Sequence, residues 1–243
     1  MTSISSGRGE GAETDAVRAA GRASRRLRGK IALATGPFAA ACTSLVTHPE
    51  VAELWPEYLI AQHQIIRATV PLTEVAAERA RALIDADAVA ADLAEYLDEH
   101  VDEERGHDDD LLGDLEALGV DRDAVRSRMP SPAVASLVGS QYYWILHHHP
   151  ISFLGFVAVM EGFPPTPELV ELLRARTGHG PEAFRTFAEH GDLDPGHREH
   201  LDRTLDSLPL TRDHEAAMGI SATSTVVLAT YVLQETLDKR PLG

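Results

Sequence analysis

Apolar residues recur along this chain at intervals of three and four, the spacing that puts them on one face of a helix. From Asp87 to Leu118 the positions Leu93, Leu97, Val101, Leu111, Leu115 and Leu118 form such a stripe, and Gly119 is a good stop. One long helix is predicted there. Val51, Leu54, Leu59, Ile60 and Ile66 give another, opened by His48-Pro49-Glu50 and ended at Pro71. Further segments are expected over Ile31 to Val46, Thr73 to about Ile84, and Ala133 to His148. Ile151 to Gly162 is almost wholly apolar, which predicts deep burial. Glu168 to Thr177 reads as a short helix closed by Gly178, and Pro181 starts one that ends near His190-Gly191. Asp194 then suits an N-cap and Pro195 the first helical position, so a break is predicted between these two helices. A final helix runs from about Asp213 to Lys239.

Residues 1–12 are rich in Ser, Gly and Thr, have no apolar period and are expected to be disordered. A short helix with a basic end is expected over Thr14 to Arg28. This divides the chain into a flexible extension, 1–28, and one domain, 29–243. With no run of alternating strands, no glycine-rich phosphate loop and no repeat, the fold class is all-α.

The chain's 243 residues suffice for a sizeable core. Its net charge of −16 repels phosphate backbones and sets nucleic-acid binding aside. One cysteine, Cys42, excludes an internal disulfide and a multi-cysteine zinc site, and fits a cytoplasmic location. Arg25-Arg26-Leu27-Arg28 ahead of Ile31 to Cys42 loosely resembles an export leader. Gly36-Pro37 interrupts the apolar run, however, and Ala39 stands where a lipobox wants Leu, so the segment reads as a helical lead-in. No apolar stretch looks long enough to span a bilayer.

Three segments carry candidate chemistry. In His100-Val-Asp-Glu103-Glu104-Arg-Gly-His107 a carboxylate lies three or four residues before a histidine, so either pair shares a helix face. Taken alone the segment reads more readily as a solvated acidic face, because Asp98, Glu99, Asp102 and Asp108 to Asp110 surround it. Glu161 ends the apolar run Phe156 to Met160, where a charged group is rarely buried unless paired or bound to metal. His190, Asp194 and His197 recur at four and three, with His200 three further on; a hydrophilic turn with scattered histidines would look similar. Together Glu104, His107, Glu161, His190, Asp194 and His197 offer three carboxylates and three imidazoles, a mixed set that suits iron or manganese better than magnesium or calcium. His147-His148-His149 cannot converge on one ion, since helix neighbours point about 100° apart. Tyr142, Tyr143 and Trp144 read as core more readily than as redox relays.

These residues and their order resemble the heme-oxygenase-like di-iron oxygenases, also described as iron-containing redox enzymes, over about His48 to Leu210. The likeness rests on His100-x2-Glu103-Glu104-x2-His107 leading into Asp114-Leu115-Glu116-Ala117-Leu118-Gly119. It continues through Gly139-Ser140-Gln141-Tyr142-Tyr143, His149-Pro150, Leu154-Gly155 and Glu161-Gly162, and ends in His190-x3-Asp194-x2-His197. The resemblance implies a bundle of about seven helices. It implies ligands Glu104 and His107 on a first core helix, Glu161 on a second, and His190, Asp194 and His197 on a third. Relatives differ in where the first carboxylate sits; the position seven before His107 is His100 here, so Glu104 is the choice and Glu103 the reserve. Also implied are two Fe(II) ions per chain with a labile second site on a mobile third helix, dioxygen as co-substrate, and a small organic molecule as substrate. Family chemistry includes fatty-acid decarboxylation, amino-acid fragmentation and amine N-oxygenation. A homodimer is compatible with this reading; a membrane is not expected. The alternatives are a metal-free enzyme on the same fold (thiaminase-like or pyrroloquinoline quinone synthase-like), a heme-degrading enzyme using His48 or His63, and a non-catalytic metal-binding helical protein. Thiaminase chemistry would want a pocket cysteine, and nothing beside Cys42 in sequence activates it.

Overall fold

The computed structural model describes residues 23–239, which form twelve α-helices, two 3-10 turns and no strand. The fold class is therefore as expected, with the bundle more finely divided. The helices are α1 Ala23–Ala34, α2 Gly36–Thr47, α3 Val51–Ile66, α4 Thr69–Arg81, α5 Ala90–Glu104, α6 His107–Ala117, α7 Arg122–Ser127, α8 Pro132–His147, α9 Phe153–Met160, α10 Pro167–Thr177, α11 Arg185–Ser207 and α12 Arg212–Leu237. The 3-10 turns are Pro150–Ser152 and Pro181–Phe184. Local chemistry explains many of the ends. Ser131 and Thr166 accept from the amides of Val134 and Leu169, each ahead of a proline at the first helical position. Gly178 closes α10 in the left-handed region.

Helix α12 is the centre of the bundle, packed by α1, α2, α3, α8 and α9. By length and composition it would cross a bilayer, with mean hydropathy 1.6, which corrects the expectation that no apolar stretch is long enough. The reason for its apolarity is burial: 56% of that window lies inside the bundle. Its polar side chains are satisfied internally, since Thr225, Thr230 and Thr236 each donate to the carbonyl four residues back. Against α12 lies α9, all of whose residues but Met160 are buried. Gly155 makes that approach possible: a Cβ there would meet the Met218 carbonyl oxygen at 2.2 Å. A second core surrounds Trp55, which stacks on Tyr58 and Phe184 and meets Phe187 edge-on.

Three boundaries differ from the pattern-based expectation. The helix expected over Asp87 to Leu118 breaks at Arg105-Gly106, where Gly106 adopts φ +100°, and resumes at His107. The stripe spacing survives the break, which is why periodicity alone misses it. Conversely, the break expected before Asp194 does not occur. α11 runs continuously through Pro195, so Asp194 lies inside the helix and caps nothing. Proline removes the amide that would pair with the Gly191 carbonyl, a cost of about 3 kcal/mol in an isolated helix. Burial of Leu201 and Leu205 along one side offsets it. Pro71 does not end α3 either; the chain turns at Arg67-Ala68 and Pro71 sits in the first turn of α4.

The lead-in is two helices bent by 60°. Residues 23–28, assigned to the flexible extension, already belong to α1: Leu27 is buried, and Arg28 donates to Asp202 and to the Ala158 carbonyl. The disorder expected for residues 1–12, and most of the helix expected over Thr14 to Arg28, fall outside the described residues.

Candidate metal centre

Glu161 follows directly on α9, so the apolar packing of that helix carries its carboxylate inward. The guanidinium of Arg28 donates to the Ala158 carbonyl at 2.7 Å and holds the last turn in place. Both Glu161 oxygens are buried and neither has a hydrogen-bond partner. From α5, His100 brings its Nδ1 to 3.5 Å from Glu161 Oε1. One turn on, Glu104 ends α5, and His107 begins α6 with Nδ1 3.5 Å from Glu104 Oε2. The break at Gly106 thus keeps this pair together. On α11 the His190 ring stands edge-on to His107 with centroids 5.0 Å apart. Asp194 is buried one turn further, and His197 Nδ1 lies 4.0 Å from Asp194 Oδ1.

Glu104, Glu161, His190 and Asp194 line one cavity of about 100 Å³, together with His100. His107 and His197 adjoin it through Glu104 and Asp194. The continuous α11 is what brings His190, Asp194 and His197 to one face. Glu103 is partly exposed, shared between His100 and His200, while Glu104 is the inner carboxylate. His200 turns away to Glu99 and Glu103.

The charges are poorly balanced without a cation. Burial pushes the Glu161 carboxyl up to about 8, with Glu104 and Asp194 adding to the rise against the opposing effect of His100. Burial, then Glu104, push Asp194 up to about 7. Glu104 is also driven up by burial, but the facing His107 imidazole and the other imidazoles nearby hold it below its ordinary range. The Nδ1 atoms of His100, His107 and His197 are buried without partners. Such a cluster is costly unless something positive binds it.

His190 is already oriented for a ligand. Its Nδ1 lies 2.8 Å from the Thr186 carbonyl, which can only accept, so Nδ1 carries the proton and Nε2 keeps its lone pair. The Thr186 amide in turn donates to Asp114 Oδ2 at 2.9 Å, and burial lifts that carboxyl to about 6.

Sequence reasoning missed two residues here. His100 is no member of the predicted ligand set, although its place one turn before Glu104 on the same stripe signals it. Tyr96 is buried and stacked on His100 with centroids 5.8 Å apart, and nothing in its local sequence singles it out. Tyr143 is exposed, and His147 and His148 face solvent. His48 spends Nδ1 on the Glu50 amide, while His63 is buried but lines neither cavity described here.

A second cluster, Asp87, His149 and His214, also brings its ligand atoms within 4.8 Å of one another. Its proton positions argue against a cation. His149 Nδ1 accepts from the Ile151 amide and His214 Nδ1 from the Thr211 amide, so each neutral ring carries its proton on Nε2. His214 Nε2 lies 3.0 Å from Asp87 Oδ2 and donates to it, while His149 Nε2 lies 3.1 Å from the same oxygen. Asp87 itself caps the Val89 amide. The cluster therefore joins three helix starts. We expect His214→Ala to lower unfolding free energy by about 1–2 kcal/mol in urea titrations and to leave metal stoichiometry unchanged. A loss of bound metal in that variant would overturn this assignment.

Comparison with known proteins bears on the centre just described. Residues 60–231 match the sequence profile of a family described as iron-containing redox enzymes. No curated protein matches the chain. Among solved structures, a domain of unknown function with a heme oxygenase-like fold from Shewanella denitrificans OS217 superposes with a TM-score of 0.71 at 16% identity, over 89% of each chain. A TenA homolog from Pseudomonas syringae pv. tomato DC3000 gives 0.70 at 11% identity, over 88% of this chain and 92% of that one.

Proposed function

This chain belongs to the iron-containing redox enzyme family, and we propose that within it the protein is a non-heme di-iron oxygenase acting on a small organic molecule. The observation that carries the reading is Glu161: a buried carboxylate with no hydrogen-bond partner, facing His100 and accompanied by Glu104 and Asp194. Carboxylates kept this close favour a shared pair of cations. The residues fit iron. Glu104, His107, Glu161, His190, Asp194 and His197 supply the nitrogen and oxygen donors, and His100 is a further donor beside Glu104 and Glu161.

Bound Fe(II) would supply the electrons that reduce dioxygen, and with them the power to oxidise substrate. The chain contributes position and protons. Asp114 and Thr186 fix the tautomer of His190, so that ring needs no rearrangement to coordinate. The apolar residues of α9 shield Glu161 from water. His100 Nδ1 lies 3.5 Å from both Glu161 Oε1 and Glu103 Oε2, so a single imidazole nitrogen faces the buried carboxylate and the partly exposed one.

Anaerobic Fe(II) titration of the metal-free protein is expected to load two ions per chain, and admitting dioxygen should then consume it. His190→Ala and His197→Ala should each lose bound iron and oxygen uptake. Iron bound without oxygen consumption would leave a non-catalytic metal-binding protein. No iron bound by folded protein would favour a metal-free enzyme. One observation speaks for that second reading: Cys42 does line the neighbouring cavity. Burial pushes its thiol up to about 11, however, so at neutral pH it is the poorly nucleophilic thiol.

A further inference from the structure

A second cavity, of about 160 Å³, adjoins the metal centre. The two share Gln62, Ile66, Met160, His190 and Asp194 as walls, so they lie on either side of these side chains. The rest of its lining comes mainly from apolar side chains of α2, α3, α9 and α12. Phe163 stands at its mouth, 45% exposed and packed on Phe38 with ring centroids 5.8 Å apart. No lysine or arginine is among the lining residues, and the only charged groups are those at the metal end.

We propose that this cavity holds the uncharged, apolar body of the substrate, and that Gln62 reads its polar group at the junction with the metal centre. The inference rests on the di-iron reading only for which end faces the reaction. Charge decides the class. A zwitterionic amino acid would have to bury an ammonium and a carboxylate with no lysine or arginine to pair the latter, a penalty of several kcal/mol. Size decides the length. An apolar cavity of about 150 Å³ accommodates benzene, so the body is one ring or a chain of about six to eight carbons. Gln62 supplies both a donor and an acceptor at the shared wall, the small number of polar groups such sites use for orientation.

The test needs no iron. Metal-free full-length protein is titrated calorimetrically with benzyl alcohol, toluene and L-phenylalanine, which share one ring and differ in polarity. Benzyl alcohol is expected to bind at least tenfold more tightly than L-phenylalanine. Gln62→Leu should weaken benzyl alcohol about fivefold and leave toluene unchanged, and Ala229→Phe, which fills the space, should abolish binding of both. With methyl-labelled methionine, benzyl alcohol should shift the Met160 resonance and leave the exposed Met129 in place, a readout that does not depend on any variant folding. Equal binding of L-phenylalanine, or a Met160 signal that does not move, would overturn the proposal. Iron counting on the same preparation separates the two readings. Benzyl alcohol bound by a protein that takes no iron upholds the cavity and removes the oxygenase, and iron loading without benzyl alcohol binding does the reverse.

Discussion

Glu161→Gln is expected to stabilise the metal-free protein above pH 8 while abolishing tight iron binding. The amide has nearly the shape of the carboxylate but no charge to desolvate. Burial has lifted the native carboxyl from 4.5 to about 8, so ionising it inside the fold is what the variant avoids. The gain should be of order 3 kcal/mol, or roughly 6–12 °C in melting temperature for a chain of this size. Iron affinity should move the other way. Losing a residue that only supports a ligand typically costs 10–100-fold, and loss of a ligand itself should exceed about 100-fold. Calorimetric melting and Fe(II) titration of the same variant give both numbers. A lower melting temperature with unchanged iron affinity would show that Glu161 is an ordinary structural residue. A gain in stability at the expense of function is the mark of a site held in an unfavourable state for use.

A metal-free sample should also lose stability as pH rises from about 5 to 8.5. Glu161 and Asp194 have folded values of about 8 and about 7 against ordinary values of 4.5 and 3.8. Through that interval the folded chain retains protons that the unfolded chain has released, so stability falls with increasing pH. His100 and His107, raised mainly by their carboxylate neighbours despite the burial that opposes it, act in the same sense above pH 6.5. His197, lowered by burial, opposes the trend only on the acid side of 6.5. Glu104, held low, contributes stability that is lost only as pH falls into the acid range. The expected net change is about 2–4 kcal/mol in urea titrations between pH 5.5 and 8.5. Anaerobic Fe(II) should reverse the slope, because coordination needs the ligands deprotonated and binding to the folded form alone adds stability. A flat profile without metal would mean that the carboxylates are solvated, contrary to their burial.

The bundle was legible because its helices are amphipathic and strongly periodic. Leu93, Leu97 and Val101, and separately Leu111 and Leu115, are buried as their spacing requires. What periodicity could not show was how the chain is cut. A single left-handed glycine at 106 ends α5 without disturbing the stripe. At Pro195 the local rule pointed to a break and tertiary packing overrode it. Three of the six residues picked as ligands, His190, Asp194 and His197, share a face because their spacings, four and seven after His190, are helical whether or not proline intervenes. His100 escaped because its value comes from Glu161, sixty-one residues away in sequence and 3.5 Å away in space. The cavity beside the centre was invisible for the same reason: its walls come from residues as far apart as Phe38 and Leu233.

Pro195 leaves a missing rung in the one helix that carries three of the candidate ligands. The turn of α11 from Gly191 to Pro195 is held by one bond fewer than its neighbours, so a short opening there costs less than unfolding the bundle. The frame made by α9 and α12 need not move when it happens. Amides of that turn should exchange with solvent faster than those along the rest of α11, and metal held by His190, Asp194 and His197 would slow them.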